Sequence, residues 1–515
     1  MSTLDALLAG LDDSQREAVT SDAQPLCVIA PAGSGKTRVL TRRVARRVAD
    51  GSALAEHVLA VTFTRKAAAE LAARLARLGC GSSVRAGTFH AIALAELARW
   101  HADRALRMPK IIDSPAHLLR DRPGRDAWAP PEAVDTLAAE INWAQARLVS
   151  PAEYPRAAAE HGRRTRFAPE RVAELYAGYV SAKERRGVLD LDDVLARCGD
   201  LLESDDTFAG SLRWRARHLF VDELQDINQA QWRLLRSWLG DRQDLFVVGD
   251  PDQAVYGWNG SDPTLLPRLP DLLRGTSVLR LRFNHRSSPQ VLAVATAVLE
   301  AAHGTDPAQP TDPAQPTDPA QPTDPAQPTD PAQPTDSAPA VKHPLATMPE
   351  GPLPAARGFP DQRSEAAAVA RWLRLAHASG IGWSQMAVLA RTNARLGTLA
   401  RVIGGAGIPL RQPEGGDGVE LATFHRAKGL EWRAVALGGL DEASLEGEEG
   451  RLVYVALTRC ERDLWCSWAG APSDAALAVA HAVTDLEASA GLERDSAKDH
   501  AKIGLARLRA SLGEP

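Results

Sequence analysis

Short apolar runs of strand length recur along this chain, and each is followed by a segment with helical spacing. Residues 26–30, LCVIA, are the first such run; behind it, residues 38–50 set Val39, Leu40, Val44 and Val48 on one side of a helix. Residues 58–71, VLAVTFTRKAAAEL, repeat the unit with Thr62, Phe63 and Thr64 at the switch from strand to helix. Residues 85–91, RAGTFHA, repeat it with Thr88, Phe89 and His90 at that point. Residues 219–226, LFVDELQD, and 245–250, LFVVGD, read as buried strands, and 278–288, VLRLRFNHRSS, as another. This alternation predicts a doubly wound α/β sheet. Small hydroxyls and an aromatic at strand C-ends suit a binding face there, although Phe63 and Phe89 also read as core.

Between about residues 100 and 211 the pattern changes. The chain is Arg-rich and helical in spacing, without strand signals, and residues 141–154 and 175–186 are amphipathic. An inserted helical subdomain is expected, closed by the acidic helix start at Asp190, Asp192 and Asp193. Residues 362–376 then read as a helix and 386–391 as a strand that opens a second α/β domain.

Composition narrows the picture. A chain of 515 residues exceeds what one core holds, so several domains are expected. Cys27, Cys80, Cys198, Cys460 and Cys466 are scattered, which disfavours zinc and a disulfide framework. The N-terminus lacks a signal-peptide pattern and no run is apolar enough to span a membrane, so a reducing cytoplasm is expected. The net charge of −5 does not mark a nucleic-acid binder; phosphate contacts would come from local patches. Only eight of the sixty basic residues are lysine, which with the heavy alanine use fits a GC-rich genome.

The chemistry starts at Ala30-Pro31-Ala32-Gly33-Ser34-Gly35-Lys36-Thr37. A glycine turn between strand and helix lets backbone N–H groups curl around phosphate oxygens at a helix N-terminus. Lys36 would reach the β- and γ-phosphates and the Thr37 hydroxyl would hold Mg²⁺. Ala30 departs mildly from the glycine that usually opens this loop. Asp222 and Glu223 supply the second half of an ATPase site, Asp222 for Mg²⁺ and Glu223 to polarise the attacking water. Gln15, ahead of the loop strand, is placed to meet an adenine edge, though a lone helical glutamine is more often solvated. Tyr256 and Trp258 suggest a platform for stacked bases.

In this order and spacing the segments resemble the superfamily 1A DNA helicases, the UvrD/PcrA/Rep family, from about residue 11 to 468. The stretch EINWAQARLVSPAEYPRAAA is similar to the second, actinobacterial-type UvrD paralogue. The resemblance implies two RecA-like P-loop NTPase domains with an inserted helical subdomain, 1B. Domain 1A would take residues 1–92 and 213–285, 1B residues 93–212, and domain 2A residues 286–303 and 351–470. It implies that Gln15 reads adenine, that residues 30–38, including Arg38, line the ATP site, and that Gln253 senses the γ-phosphate. Arg286 and Arg459 would be arginine fingers, and Glu431 would face the ribose. Thr62, Phe63, Thr64, Thr88, His90, Tyr256, Trp258, Thr423, His425 and Lys428 would meet DNA. His285 stands where the family has a tyrosine stacked on adenine. Asn259 stands where it has an arginine.

Two features depart from the family. Residues 305–334 are five copies of Thr-Asp-Pro-Ala-Gln-Pro, within a linker expected at 304–350. With no apolar anchor, such a repeat forms a disordered or polyproline-like tether, about 30 Å long as a coil and about 90 Å fully extended. The second is a gap. The family's large 2B subdomain would lie between the strand-helix unit starting at Arg391 and the segment 417–432; only residues 404–418 occupy that place, so 2B is essentially absent. Residues 471–515 read as an alanine-rich helical tail. The expectation is an ATP- and Mg²⁺-dependent 3′-to-5′ motor on single-stranded and forked DNA, in repair or recombination. A translocating ATPase that does not unwind, and a non-hydrolytic DNA-binding scaffold, are the alternatives.

Overall fold

The computed structural model describes residues 3–81, 83–120, 133–305, 343–412 and 415–491. They fall into two compact units, divided between His285 and Arg286. The proline repeat from residue 306 onward and the tail beyond 491 lie outside the described residues.

The first unit is built on six parallel strands, in the order Arg85–Thr88, Val58–Thr62, His218–Val221, Leu245–Gly249, Leu26–Ile29, Ser277–Arg280. The apolar runs of the four inner strands follow from burial on both faces, whereas the edge strand Ser277–Arg280 is largely exposed. Cys27, Ile29, Leu59, Val61, Leu219 and Val221 enter one core, and Leu26, Val28, Val58, Ala60, Phe220 and Val248 enter the other. Because the strands are parallel, all their C-ends lie along one edge, and the loops that leave that edge carry the chemistry.

The helical insert has its own core, where Trp143, Tyr154, Tyr176 and Tyr179 are buried among the helices Val134–Ala146, Tyr154–Glu160 and Pro169–Arg186. One expectation there is corrected. Lys110–Ile111 and Val188–Leu189 form a parallel pair of two-residue strands; pieces so short leave no period in the sequence. The flanking helices Phe89–Asp103, Leu191–Ser204 and Asp206–Arg215 pack on the sheet through Leu97, Val194, Cys198, Phe208 and Leu212 rather than within the insert's core.

The second unit holds five parallel strands, in the order Ala355–Phe359, Cys460–Ala469, Trp432–Leu437, Met386–Ala390, Glu420–Thr423. Between helix Asn393–Gly405 and strand Glu420–Thr423 the chain has no room for a further subdomain. The two arms of that short connection are stitched together. Val419 N–H donates to the Pro409 carbonyl at 2.8 Å, and Arg411 N–H donates to the Val419 carbonyl at 3.0 Å. Residues 474–491 are helical. No helix among the described residues is long and apolar enough to cross a membrane.

Candidate active site

The phosphate loop sits between strand Leu26–Ile29 and helix Lys36–Ala49. Its turn needs glycine: Gly33 has φ +72° and Gly35 φ +83°, a region where a Cβ collides with the chain. A Cβ on Gly35 would also lie 2.8 Å from Nε2 of Gln15. Gln15 is fully buried, and its Nε2 donates to the Ser34 carbonyl at 2.8 Å. It braces the loop from below, so it is not a solvated helical glutamine. The Lys36 ammonium donates to the Ala30 carbonyl at 3.3 Å and stands 4.0 Å from the Glu223 carboxylate.

Asp222 and Glu223 follow strand His218–Val221. The Thr37 hydroxyl donates to Asp222 Oδ2 at 3.2 Å. Burial first, and then the neighbouring Glu223, push the Asp222 carboxyl up to about 7 despite the pull of Lys36. A buried carboxylate so short of positive charge, next to a hydroxyl, fits a hard divalent cation. Thr37 and Asp222 are the residues that would hold Mg²⁺, which supplies charge stabilisation to the phosphates. Glu223 occupies the left-handed region at φ +56°, rare for a residue with a side chain and a place where strain gathers at functional sites.

A residue the sequence reading passed over completes this arrangement. Gln225 is fully buried; its Nε2 donates to Glu223 Oε2 at 2.6 Å, and its Oε1 accepts the Asp250 N–H at 3.0 Å. Asp250 in turn accepts from Nε2 of Gln253 at 2.5 Å. Burial holds the Asp250 carboxyl up at about 6. One chain of hydrogen bonds thus links Glu223 to Gln253 through Gln225 and Asp250. Local sequence carries no signal for it: Gln225 stands between Leu224 and Asp226, and its partner Asp250 is far along the chain.

His285 and Asn284 close the loop from the far side. The Asn284 amide donates to the Ala32 carbonyl at 2.8 Å, and the His285 N–H donates to the Gly33 carbonyl at 2.8 Å. The His285 ring meets Asp12 at 2.7 Å. Burial works against the Asp12 charge, yet hydrogen bonds from Ser14, the Gln15 N–H and His285 hold its carboxyl below the usual range.

The residues expected to meet DNA divide into three sets. Phe63 and Tyr256 stack on each other, centroids 5.0 Å apart and 21° between planes, and Trp258 stands edge-on to Tyr256 at 6.5 Å. Trp258 is the open surface at 56% exposure; Tyr256 is half-buried and lies against Phe63. Phe89 is core, stacked on Trp238 at 5.6 Å. Thr64 and Thr88 spend their hydroxyls as helix caps, accepting from Ala67 and Ala91 N–H groups, and Thr62 is buried. Burial pushes the His90 imidazole below its usual range. In the second unit Thr423 caps the helix Phe424–Ala427, which carries His425, and Lys428 follows directly.

Neither arginine expected as a finger is a loose surface side chain. Arg286 donates to Glu431 at 2.7 Å and to the Thr458 carbonyl at 3.4 Å. Arg459 is buried and donates to the carbonyls of Val455 at 2.9 Å and Leu430 at 3.3 Å and to the Thr458 hydroxyl at 3.1 Å.

Fold and site together define a P-loop nucleoside triphosphatase with two parallel α/β units. The UvrD/REP helicase N-terminal domain matches residues 11–272, and the UvrD-like helicase C-terminal domain matches residues 409–471. ATP-dependent DNA helicase UvrD2 of Mycobacterium tuberculosis is 32% identical over 588 aligned residues, covering 90% of this chain and 79% of that one. The alignment is longer than this chain, so the relative carries segments without a counterpart here. DNA helicase II of Escherichia coli K12 is 33% identical over 309 residues, 58% of this chain and 41% of its own. ATP-dependent DNA helicase PcrA of Leuconostoc citreum is 33% identical over 306 residues, 58% and 40% of the two chains. The chain belongs to the UvrD/REP helicase family and is a helicase enzyme.

Proposed function

We propose that this protein is an ATP- and Mg²⁺-dependent helicase that moves 3′ to 5′ along single-stranded DNA and separates the strands of forked duplex, in repair or recombination in the cytoplasm. The observation that carries the hydrolytic part is the cluster of Lys36, Thr37, Asp222 and Glu223 around one loop, with Thr37 3.2 Å from Asp222 and Lys36 4.0 Å from Glu223. ATP binds with its phosphates on residues 33–37, Thr37 and Asp222 hold Mg²⁺, and Glu223 takes the proton of the attacking water. Gln253 senses the γ-phosphate and passes its state to Tyr256 and Trp258. Arg286 and Arg459 act on the γ-phosphate as fingers, Gln15 and His285 frame the adenine, and Glu431 the ribose. Bases stack on Phe63, Tyr256 and Trp258, while Thr64, Thr88, His90, Thr423, His425 and Lys428 track the backbone without sequence reading. Polarity and pathway rest on family resemblance.

A second reading, translocation on single strands without strand separation, is favoured by the short stitched connection between helix Asn393–Gly405 and strand Glu420–Thr423, where the family resemblance implies a 2B subdomain. Steady-state ATP hydrolysis with and without single-stranded DNA, with Glu223→Gln as the blank, tests the motor. Turnover that rises with DNA and disappears in the variant supports it; no DNA-dependent turnover above the blank overturns it. A forked duplex with a 3′ tail, set against one with a 5′ tail, then separates unwinding from translocation and tests the polarity.

A further inference from the structure

Beside the Phe63–Tyr256 pair lies a cavity of about 200 Å³, entirely within the first unit. The helical insert seals one side of it. A Cβ on Gly260 would lie 2.7 Å from the Ala146 Cβ and 3.3 Å from the Trp143 carbonyl, so helix Val134–Ala146 presses directly on the turn that follows Trp258. Phe63 and Tyr256 give the cavity a flat aromatic wall; His90, Asn142, Asp192 and Ser261 give it a polar one.

That polar wall has unused capacity. Ser261 is 3% exposed, and its hydroxyl has no hydrogen-bond partner among the described residues. Asp190 is fully engaged, by Lys183 at 2.6 Å, Tyr179 at 2.7 Å and the Asp193 N–H at 2.8 Å. Asp192, in the first turn of helix Leu191–Ser204, has no such partner among the described residues. Burial, with Asp190 beside it, raises its carboxyl to about 7. Asp113 and Asp226 also line the space, so a phosphate is repelled from it. What fits is planar, uncharged and rich in N–H donors.

We infer that this cavity is a base-selective subsite: it admits one nucleobase turned out of the bound strand and prefers a base with an exocyclic amino group over thymine. The inference rests on the proposed reading that Phe63, Tyr256 and Trp258 face single-stranded DNA. The base lies against the aromatic wall, its amino N–H donating to Asp192, while the Ser261 hydroxyl is free to donate to a ring nitrogen or carbonyl. Stacking alone tolerates every base; a carboxylate accepting from the cytosine amine does not. The cavity therefore adds discrimination to a surface that otherwise has none.

The test is fluorescence anisotropy of the full chain with oligo(dC), oligo(dT) and an oligonucleotide of 2-pyrimidinone deoxyribonucleotides, which keeps the cytosine ring but lacks its amine, all of one length at one salt concentration. The expected result is oligo(dC) bound about five- to tenfold more tightly than either of the others. In Asp192→Leu, which keeps the branched shape and removes the acceptor, the preference collapses toward one. Equal affinity for oligo(dC) and oligo(dT) in the wild-type chain overturns the subsite and leaves the DNA-motor reading standing. A dC preference kept by the 2-pyrimidinone strand overturns the amine as the feature read. Binding of none of the three overturns both.

Discussion

Gln225 donates to the Glu223 carboxylate at 2.6 Å from a fully buried position, at the one residue of that loop whose backbone is held in the left-handed region. Its other amide atom is occupied by the Asp250 N–H, so it cannot turn away without breaking a second bond. The proposed general base, held this way, is pre-aimed, and an error of about 1 Å at such a group costs about a hundredfold in rate. Gln225→Met keeps the volume and removes both hydrogen bonds. Its predicted effect is a fall in kcat of about ten- to a hundredfold with the KM for ATP changed less than about threefold. A comparable rise in KM would show that the residue shapes the nucleotide pocket instead.

Arg459 has to serve two ends. Its guanidinium ties the end of helix Glu448–Leu457, at the Val455 carbonyl, to the Leu430 carbonyl, and the proposed mechanism needs the same group at the γ-phosphate. Arg459→Ala is predicted to lower kcat by about a thousandfold or more and also to lower the melting temperature, because buried carbonyls lose their donor. Arg286→Ala, whose partner Glu431 is more than half exposed, is predicted to lose turnover with little change in melting. Differential scanning beside steady-state kinetics checks both; matching melting losses would contradict the distinction.

The site was legible where chemistry follows the chain locally. The loop at residues 30–37 and the Asp222–Glu223 pair each stand at a strand end that the apolar runs marked out, and the parallel sheet brings those ends to one edge. What was not legible depends on atoms far apart in sequence. Gln225 could be named only once Asp250 was seen beside it, and Asn284 only once it was seen on the Ala32 carbonyl. Tyr256 and Phe63 read as two candidates, but they form one stacked pair, and nothing in local spacing says which aromatic is left open. The paired strands Lys110–Ile111 and Val188–Leu189 escape for the opposite reason: they are too short to carry a period.

The second unit is pinned by a buried ion network that periodicity cannot reveal. Arg395, 2% exposed, donates to Glu365 at 2.6 Å and to Asp441 at 2.8 Å, and Glu365 also accepts from the Gly439 N–H and the Ser467 hydroxyl. Two helices, a turn and a strand meet at that one carboxylate. Glu365→Ala leaves the guanidinium short of counter-charge in the interior, a change that costs about 3–5 kcal/mol. The predicted outcome is loss of the second unit's cooperative unfolding transition, or its shift to far lower urea. Glu365→Gln, which keeps the volume and one acceptor, is predicted to be milder. Equal midpoints for wild type and both variants would contradict this account.

Asp244 gives the first unit an acid-sensitive tie at the edge opposite the site. It accepts from Arg47 at 2.7 Å and lies 2.5 Å from the His218 ring, joining the helix behind the phosphate loop to the starts of the strands that end in Asp222 and Asp250. Burial opposes its charge, but His218 and Arg47 outweigh that and bring the carboxyl from 3.8 down to about 2. A folded-state value below the unfolded one means stability that is complete above pH 3.8 and is lost as pH falls toward 2. The contribution at neutral pH is about 2 kcal/mol. Asp244→Asn is therefore predicted to lower the first unit's unfolding free energy at pH 7 by about that amount or more, since Arg47 is left buried beside a neutral group. Below pH 3 the deficit should shrink toward zero. Urea titrations of both proteins between pH 7 and 2.5 measure this directly; a constant offset across the range would show that the lost packing, and not the charge, carried the effect.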